Sequence, residues 1–153
     1  MAARKKTLPA RAKKKKATPT ASRMVAPAGM SAATPGFTVA DIRKSVAWYR
    51  DVLGFEVNER WESNGKLEAV EMRCGSVSFF LGQDNWKKGR HRMKGQGVRI
   101  YCSTFRNVDR YAAHVKATGS PLTQKPRTEM GMRSFSVEDP DGYQLTIWAV
   151  SSR

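Results

Sequence analysis

The sequence has only two histidines and two cysteines among its 153 residues, so it is short of the side chains that most often hold metals or form crosslinks. Cys74 and Cys102 both fall in predicted strands and are not spaced like zinc ligands, so we interpret them as reduced, buried thiols of a cytoplasmic protein. His91 and His114 have no ligand partners at metal spacing. These residues therefore argue against both a zinc centre and a disulfide framework.

Long apolar runs and common catalytic motifs are missing as well. No stretch approaches the roughly 20 apolar residues of a membrane span, and the N-terminus has no apolar signal-peptide core. The chain contains no phosphate-binding glycine loop, no Cys-x-x-Cys pair and no credible Ser-His-Asp ordering. We therefore expect no membrane partner, and no nucleotide-dependent or nucleophilic chemistry is indicated.

Acidic residues are absent from residues 1–30, which hold nine of the 28 Lys and Arg residues. Nine of the net +15 charges therefore lie in this segment and +6 in the rest of the chain. The segment has almost no large apolar side chains, so it cannot bury enough surface to offset the entropy of ordering. We predict a disordered basic tail over residues 1–33 and a domain over residues 34–153. The lysine run at residues 13–16 is either simply solvated or makes a weak, salt-sensitive contact with nucleic acid or another polyanion.

The rest of the chain contains an internal repeat with an offset of 65 to 67 residues. Two predicted helix starts, two helix stops and two pairs of turn glycines are all separated by this distance. In pairs, these residues are Asp41 and Asn107, Gly54 and Gly119, Gly65 and Gly131, and Gly75 and Gly142. A fixed offset is typical of a duplicated unit. We predict two modules, at about residues 35–82 and 97–150, that share one core because either alone buries too little apolar surface.

Hydrophobic periodicity predicts one helix and four strands in each module. The helices have apolar stripes at Ile42, Val46, Tyr49 and Leu53, and at Val108, Tyr111, Ala112 and Val115. The first strand surrounds Phe37 and Val39, and the others are predicted at Phe55–Trp61, Leu67–Cys74, Val77–Leu81, Val98–Ser103, Leu122–Lys125, Arg133–Val137 and Tyr143–Val150. The basic stretch from Gly82 to Gly97 is predicted to connect the modules.

Alternation along these strands separates a helix-packed face from an opposite face. Val77, Phe79 and Leu81 suit the helix side of their strand, which leaves Phe80 facing the other way. The same argument places Arg99, Tyr101, Ser103, Gln144, Thr146 and Trp148 on the opposite face of the second module. A curved sheet with this lining is either a small-molecule cup or a solvated or dimer-forming face.

Two segments of the domain carry a family resemblance. FTVADIRKSVAWYRDVLGFEV and VEDPDGYQLTIW, with the repeat between them, resemble the opening and closing signatures of the vicinal oxygen chelate superfamily. That group includes glyoxalase I, extradiol dioxygenases, fosfomycin-resistance enzymes and bleomycin-resistance proteins. The resemblance covers residues 35–150. It implies an α+β fold in which two βαβββ modules form a curved mixed sheet around a cup, with both helices on the outer face.

The resemblance also locates the positions at which the superfamily's metalloenzymes hold a metal. Those enzymes place a His or Glu on each of four strands, and the corresponding positions here are Thr34, Phe80, Arg99 or Val98, and Thr146. None is a histidine or a carboxylate, and an arginine in the cup would repel a divalent cation. We therefore expect no metal and no other cofactor, which favours a protein without catalytic activity.

The resulting hypothesis is a metal-free small-molecule-binding protein that resembles the bleomycin-resistance branch and, as that resemblance implies, pairs as a homodimer. The positive charge of the domain favours an anionic or aromatic ligand, which arginine can hold and aromatic rings can stack on. The expected ligand-binding residues are Arg99, Tyr101, Thr146, Trp148, Phe80, Trp61, Arg90 and Arg92. Two alternatives stay open: a superfamily enzyme of lyase or dioxygenase type with an atypical site, and a polyanion-associated protein acting through residues 1–30.

Overall fold

The computed structural model describes residues 32–151, so the predicted basic tail lies outside the described residues except for its last two positions. The first module consists of β1 (Gly36–Val39), α1 (Ile42–Leu53), β2 (Glu56–Ser63), β3 (Lys66–Cys74) and β4 (Val77–Gln83). The second consists of β5 (Arg99–Ser103), α2 (Val108–Ala117), β6 (Leu122–Glu129), β7 (Met132–Glu138) and β8 (Gln144–Val150). The order strand, helix and three strands therefore occurs twice, as the repeat predicts.

Each module builds its own four-stranded sheet. The strand orders are β1-β4-β3-β2 and β5-β8-β7-β6. In each sheet the first pair is parallel and the other neighbours are antiparallel. The predicted α+β fold of two βαβββ modules is confirmed, and its hydrogen bonding divides the mixed sheet into two equivalent halves.

Both helices begin and end where the sequence predicts. The Asp41 carboxylate accepts hydrogen bonds from the amides of Arg43 and Lys44 at 3.0 and 3.1 Å, and Gly54 ends α1 with φ 69°. Asn107 caps α2, and Gly119 follows its last turn with φ 84°. The two later glycine pairs of the repeat also have positive φ, so the duplication extends to backbone conformation. Neither helix of this region has the length and apolar character that crossing a bilayer requires.

One hydrophobic core spans both modules. It contains the helix stripes together with strand residues that face the helices, including the fully buried Phe79, Leu81, Phe135 and Leu145. Tyr101, on the face predicted to point away from the helices, is 66% exposed. The alternation argument therefore assigns the strand faces correctly, and no segment within residues 32–151 covers the solvent-facing side of either sheet.

A buried carboxylate joins the second module to the first. Asp139, in the β7–β8 turn, accepts a hydrogen bond of 2.9 Å from the hydroxyl of Tyr49 on α1. It also accepts from the amides of Asp141 and Tyr143, at 2.9 and 2.8 Å. Burial raises the pKa of Asp139, and burial and the nearby Asp139 raise the pKa of Tyr49, so the tyrosine keeps its proton and donates. The turn is thereby held against α1.

The basic connection between the modules packs onto the same turn. Lys94 is almost fully buried, and its ammonium group lies 3.4 Å from Asp84, 3.7 Å from Asp141 and 4.7 Å from the centre of the Trp86 ring. Arg92 forms a shorter ion pair of 2.7 Å with Asp84. Burial opposes ionisation of Asp84, but hydrogen bonds from the Trp86 amide and from Arg92 lower the pKa of this carboxyl overall. Part of the basic connection between the modules is therefore a structural strap.

The largest difference from the predicted elements is β6. Its predicted end is Lys125, yet the strand continues to Glu129. Pro126 is accommodated because β6 is an edge strand and its pairing register shifts between Gln124 and Arg127. The extra length places Arg127 on the sheet, whereas the other predicted elements differ only at their ends.

The Tyr49–Asp139 contact can be tested by removing the tyrosine hydroxyl. We expect Tyr49→Phe to lower the free energy of unfolding by about 1.5–3 kcal/mol, because a buried carboxylate loses a hydrogen bond. The matched control is Tyr111→Phe, whose hydroxyl donates to the neutral Leu53 carbonyl at 2.7 Å and should cost only about 0.5–1.5 kcal/mol. Urea denaturation measures both variants, and equal losses would contradict the importance given to the buried charge.

Candidate functional site

A cavity of about 420 Å³ lies on the face of the second sheet that points away from the helices. Strands β5 to β8 and the β6–β7 turn all contribute side chains to it. We call it the cup cavity, and its lining residues are Arg99, Tyr101, Gln124, Arg127, Glu129, Met130, Met132, Ser134, Ser136, Thr146 and Trp148. Four of the eight predicted ligand-binding residues are thus brought together.

Strand register explains why these side chains converge. Tyr101 on β5 lies opposite Thr146 on β8, which lies opposite Ser136 on β7. The hydroxyls of Ser136 and Thr146 are hydrogen-bonded to each other at 2.9 Å. Trp148 and Ser134 form the next row. The floor of the cavity therefore carries two hydroxyl groups in one row. Tyr101 lies at the end of that row, and Trp148 lies in the next row.

Two arginines give the cup cavity its charge. Arg127 is paired with Glu129 at 2.8 Å, and both side chains are more than half exposed. Arg99 has no hydrogen bond and no ion pair with any residue of the described region. Its guanidinium is therefore available to an anion, and it lies beside the aromatic ring of Tyr101 in the same lining.

Two further predicted residues lie on the first module instead. Trp61 and Phe80 contact each other edge to face, with ring centres 5.5 Å apart. They line a separate, shallow cavity of about 380 Å³ on the outer face of the first sheet, together with Thr38 and Ala69. The predicted cup is therefore present as two half-cups, one on each module.

Arg90 and Arg92 are placed elsewhere. Arg90 lies over the ring of Trp86 at 5.1 Å, and Arg92 is paired with Asp84. Neither side chain lines either half-cup. The sequence predicted both as ligand-binding residues, whereas the connection that carries them folds back onto the β7–β8 turn.

Sequence reasoning missed several side chains of the cup cavity. Ser134 and Ser136 could have been found, because they alternate with buried Phe135 along a predicted strand. Arg127 could not, since Pro126 signals the end of the strand. The extension of β6 brings both Arg127 and its ion-pair partner Glu129 into the lining, so it leaves the net charge of the cavity unchanged.

The residues present do not fit the metal centre that the family resemblance raises. Thr34 precedes β1, Phe80 presents a ring, Arg99 a cation and Thr146 a hydroxyl that is bonded to Ser136. Within residues 32–151, no three His, Cys, Asp or Glu side chains are grouped so that they could hold a metal ion. A divalent cation would lack anionic ligands at this position and would be repelled by the guanidinium.

Comparison with protein families gives one match. A family model described as the Glyoxalase/Bleomycin resistance protein/Dioxygenase superfamily matches residues 31–147. This span covers most of both modules. No curated protein sequence matches the chain.

Solved structures with the same architecture have different biochemical roles. A glyoxalase/bleomycin resistance protein/dioxygenase from Nocardioides aligns with a TM-score of 0.66 and 15% identity over 84% of this chain and 89% of that one. TnmS3, an antibiotic binding protein from Streptomyces sp. CB03234, aligns with a TM-score of 0.61 and 19% identity over 80% of this chain and 100% of that one. Lactoylglutathione lyase from Agrobacterium tumefaciens aligns with a TM-score of 0.59 and 21% identity over 79% of this chain and 95% of that one. At these identities the likeness concerns the fold alone.

The metal prediction can be checked by elemental analysis. We expect purified protein to contain no stoichiometric zinc, nickel, iron or manganese, because the four positions carry no His or carboxylate. Inductively coupled plasma mass spectrometry, performed on protein purified without an affinity tag that binds metal, measures the content. One tightly held equivalent that a chelator removes would contradict this assignment.

Proposed function

This chain belongs to the Glyoxalase/Bleomycin resistance protein/Dioxygenase superfamily, and on that premise we propose that it binds an anionic or aromatic small molecule in the cup cavity without a metal. The observation that carries the proposal is Arg99, a cation without a carboxylate partner among the described residues, in a cavity lined by aromatic and hydroxyl-bearing side chains. We propose that the protein acts by binding and not by catalysis.

The chemistry of the lining supports an anionic ligand with an aromatic part. A guanidinium binds a carboxylate or phosphate through two parallel hydrogen bonds, which fixes the ligand's orientation. Tyr101 and Trp148 offer ring faces for stacking. Met130 and Met132 provide flexible apolar surface that adapts to irregular shapes. The ligand would thus be held by charge at one end and by contact area along its body.

The superfamily fold supports binders and enzymes alike, so the site must decide between them. One structural neighbour is named an antibiotic binding protein and another a lyase. The site residues favour the first type of role, because the metal-ligand positions carry no histidine and no carboxylate. An enzyme with an atypical site is the competing proposal, and the metal analysis above separates the two.

We also propose that the protein is a homodimer whose half-cups face each other. Trp61 and Tyr101 are 42% and 66% exposed on the two outer sheet faces, and exposed aromatic surface of this kind marks interaction sites. The faces differ in charge: register places Glu59 and Glu71 near Phe80 on the first. Arg99 has no carboxylate partner among the described residues of the second, where Arg127 is paired with Glu129. A two-fold axis that brings the first face of one copy onto the second face of another would pair opposite charges twice.

Dimer formation can be measured by light scattering after size exclusion. We expect a dimer at high micromolar concentration and expect Tyr101→Glu to shift it towards monomer, because a carboxylate would enter the interface. Phe105→Glu is the matched control, since Phe105 is fully exposed but does not line either half-cup. A monomeric wild-type protein, or equal effects of the two variants, would contradict the proposed arrangement.

The role of Arg99 can be tested with a ligand from an unbiased thermal-shift screen. We expect Arg99→Ala to weaken binding of an anionic aromatic ligand by about 1.5–3 kcal/mol, the usual contribution of a charged hydrogen bond, and to affect a neutral analogue much less. Isothermal titration calorimetry measures both. Arg60→Ala serves as the control, because Arg60 is an exposed arginine of the first module. Unchanged affinity for every ligand found would end the proposal.

Two smaller assignments accompany this proposal. Cys74 and Cys102 are both free thiols; Cys102 is buried as predicted, whereas Cys74 was predicted to be buried and is exposed. Free thiols favour a reducing compartment, and we propose the cytoplasm. Contact with a polyanion through residues 1–30 stays a prediction from composition.

A further inference from the structure

A second sizeable cavity lies at the junction of the two modules, away from the cup cavity. Its volume is about 630 Å³, which is within the usual range of small-molecule sites. The end of α1 and the β3–β4 turn form one wall, and the start of α2 forms the other. We call it the junction groove, and the lining residues that matter here are Leu53, Cys74, Arg106, Arg110, Tyr111 and His114.

The junction groove has basic side chains and no acidic ones in its lining. Arg110 and His114 are one helical turn apart on α2, and Arg106 precedes the helix cap. Neither arginine forms an ion pair with a residue of the region described. Arg133, on the far side of α2's first turn, is paired with Asp109 instead. The positive charge in the groove is therefore unbalanced.

The internal repeat shows which part of the other module corresponds to this place. Met72 pairs with Phe79 and Val137 with Leu145, and each is the last core pair before its turn. Two residues further along, Cys74 pairs with Val77, while the Asp139 amide bonds to the Tyr143 carbonyl. Cys74 therefore occupies the position that Asp139 has in the second module.

The equivalent space in the other half of the repeat is filled by the chain's own carboxylates. Between the paired residues, the β7–β8 turn is one residue longer than the β3–β4 turn and carries Asp141. One oxygen of Asp141 accepts from the Ala40 amide at 2.9 Å, and the other lies 3.4 Å from the Ser45 hydroxyl, so the turn packs against the first turn of α1. The β3–β4 turn has no acid, and the space beside α2 stays open.

We propose that the junction groove is a second ligand site, which takes a small organic carboxylate. The carboxylate would lie between Arg106 and Arg110, near the place that the carboxylates of the β7–β8 turn occupy in the other module. Its apolar body would contact Leu53 and the Tyr111 ring. This site is independent of the cup cavity, since the two share no lining residue.

Cys74 provides a built-in reporter for this proposal. It is exposed in the wall of the groove, whereas Cys102 is 7% exposed, so iodoacetamide should alkylate Cys74 first. We expect phenylacetate to protect Cys74 from alkylation in a saturable way, as measured by intact-protein mass spectrometry. Phenylacetamide, which has the same shape without the charge, should protect much less because it cannot form the charged hydrogen bonds.

Variants then assign the protection to the groove. In Arg106→Gln/Arg110→Gln the phenylacetate concentration for half-protection should rise roughly tenfold or more, as expected for the loss of charged hydrogen bonds. Arg99→Gln, in the cup cavity, should leave it unchanged. Arg99, Arg106 and Arg110 are all exposed, so the substitutions should not disturb the core. The melting temperature of each variant verifies that it folds.

Each outcome decides the proposal. No saturable protection, equal protection by the amide, or an unchanged half-protection concentration in the double variant would overturn it. Loss of protection in Arg99→Gln would also overturn it, because phenylacetate would then act from the cup cavity. A negative result here leaves ligand binding in the cup cavity to its own test, so the two proposals fail separately.

Discussion

The hydrogen bonds around the buried Asp139 carboxylate hold the two modules together. A buried charge is costly unless donors surround it, and here a tyrosine hydroxyl and two backbone amides do so. Tyr49 supplies the donor that comes from the other module, so the β7–β8 turn must lie against α1. Once it lies there, Asp141 is placed beside the start of α1. Lys94 of the connection then forms ion pairs with both Asp84 and Asp141.

The duplicated unit has kept its backbone and diverged in its surfaces. Helix caps, strand order and positive-φ glycines correspond between the halves. The turn between the last two strands does not: in the second module it carries Asp139 and Asp141, and in the first it is shorter and carries Cys74. One turn fills the space beside the opposite helix and the other leaves a groove. The exchange of Cys74 for Asp139 at one position, together with the extra residue in the turn that carries Asp141, therefore makes the two junctions chemically different.

The outer sheet faces diverge in a similar way. Glu59 and Glu71 accompany aromatic residues on the first, and Arg99 accompanies them on the second, where Arg127 is paired with Glu129. Because the superfamily fold is compatible with many functions, these side chains and not the fold bear on the role of this protein. An arginine that has no carboxylate partner within residues 32–151 favours recognition of an anion when exposed rings line the same cavity. The usual ligand positions carry no acidic or imidazole group, which argues against metal-assisted chemistry.

Local patterns in the sequence determined the helices, most strand positions and the assignment of faces. Caps such as Asp41 and glycines such as Gly54 act over a few residues, and alternation reports which side chains meet the core. The cup-facing positions of Arg99, Tyr101, Thr146 and Trp148 followed from that rule alone.

Tertiary structure decided what depends on contacts between distant segments. Only packing shows that Lys94 is buried, that Arg90 and Arg92 belong to the strap and not to the cup, and that β6 passes through Pro126 as an edge strand. The junction groove is likewise invisible in the sequence, because it arises from the distance between two modules and from the one residue by which their turns differ. Sequence patterns record the local chain and the core it faces, whereas cavities and ion pairs depend on where remote elements come to lie.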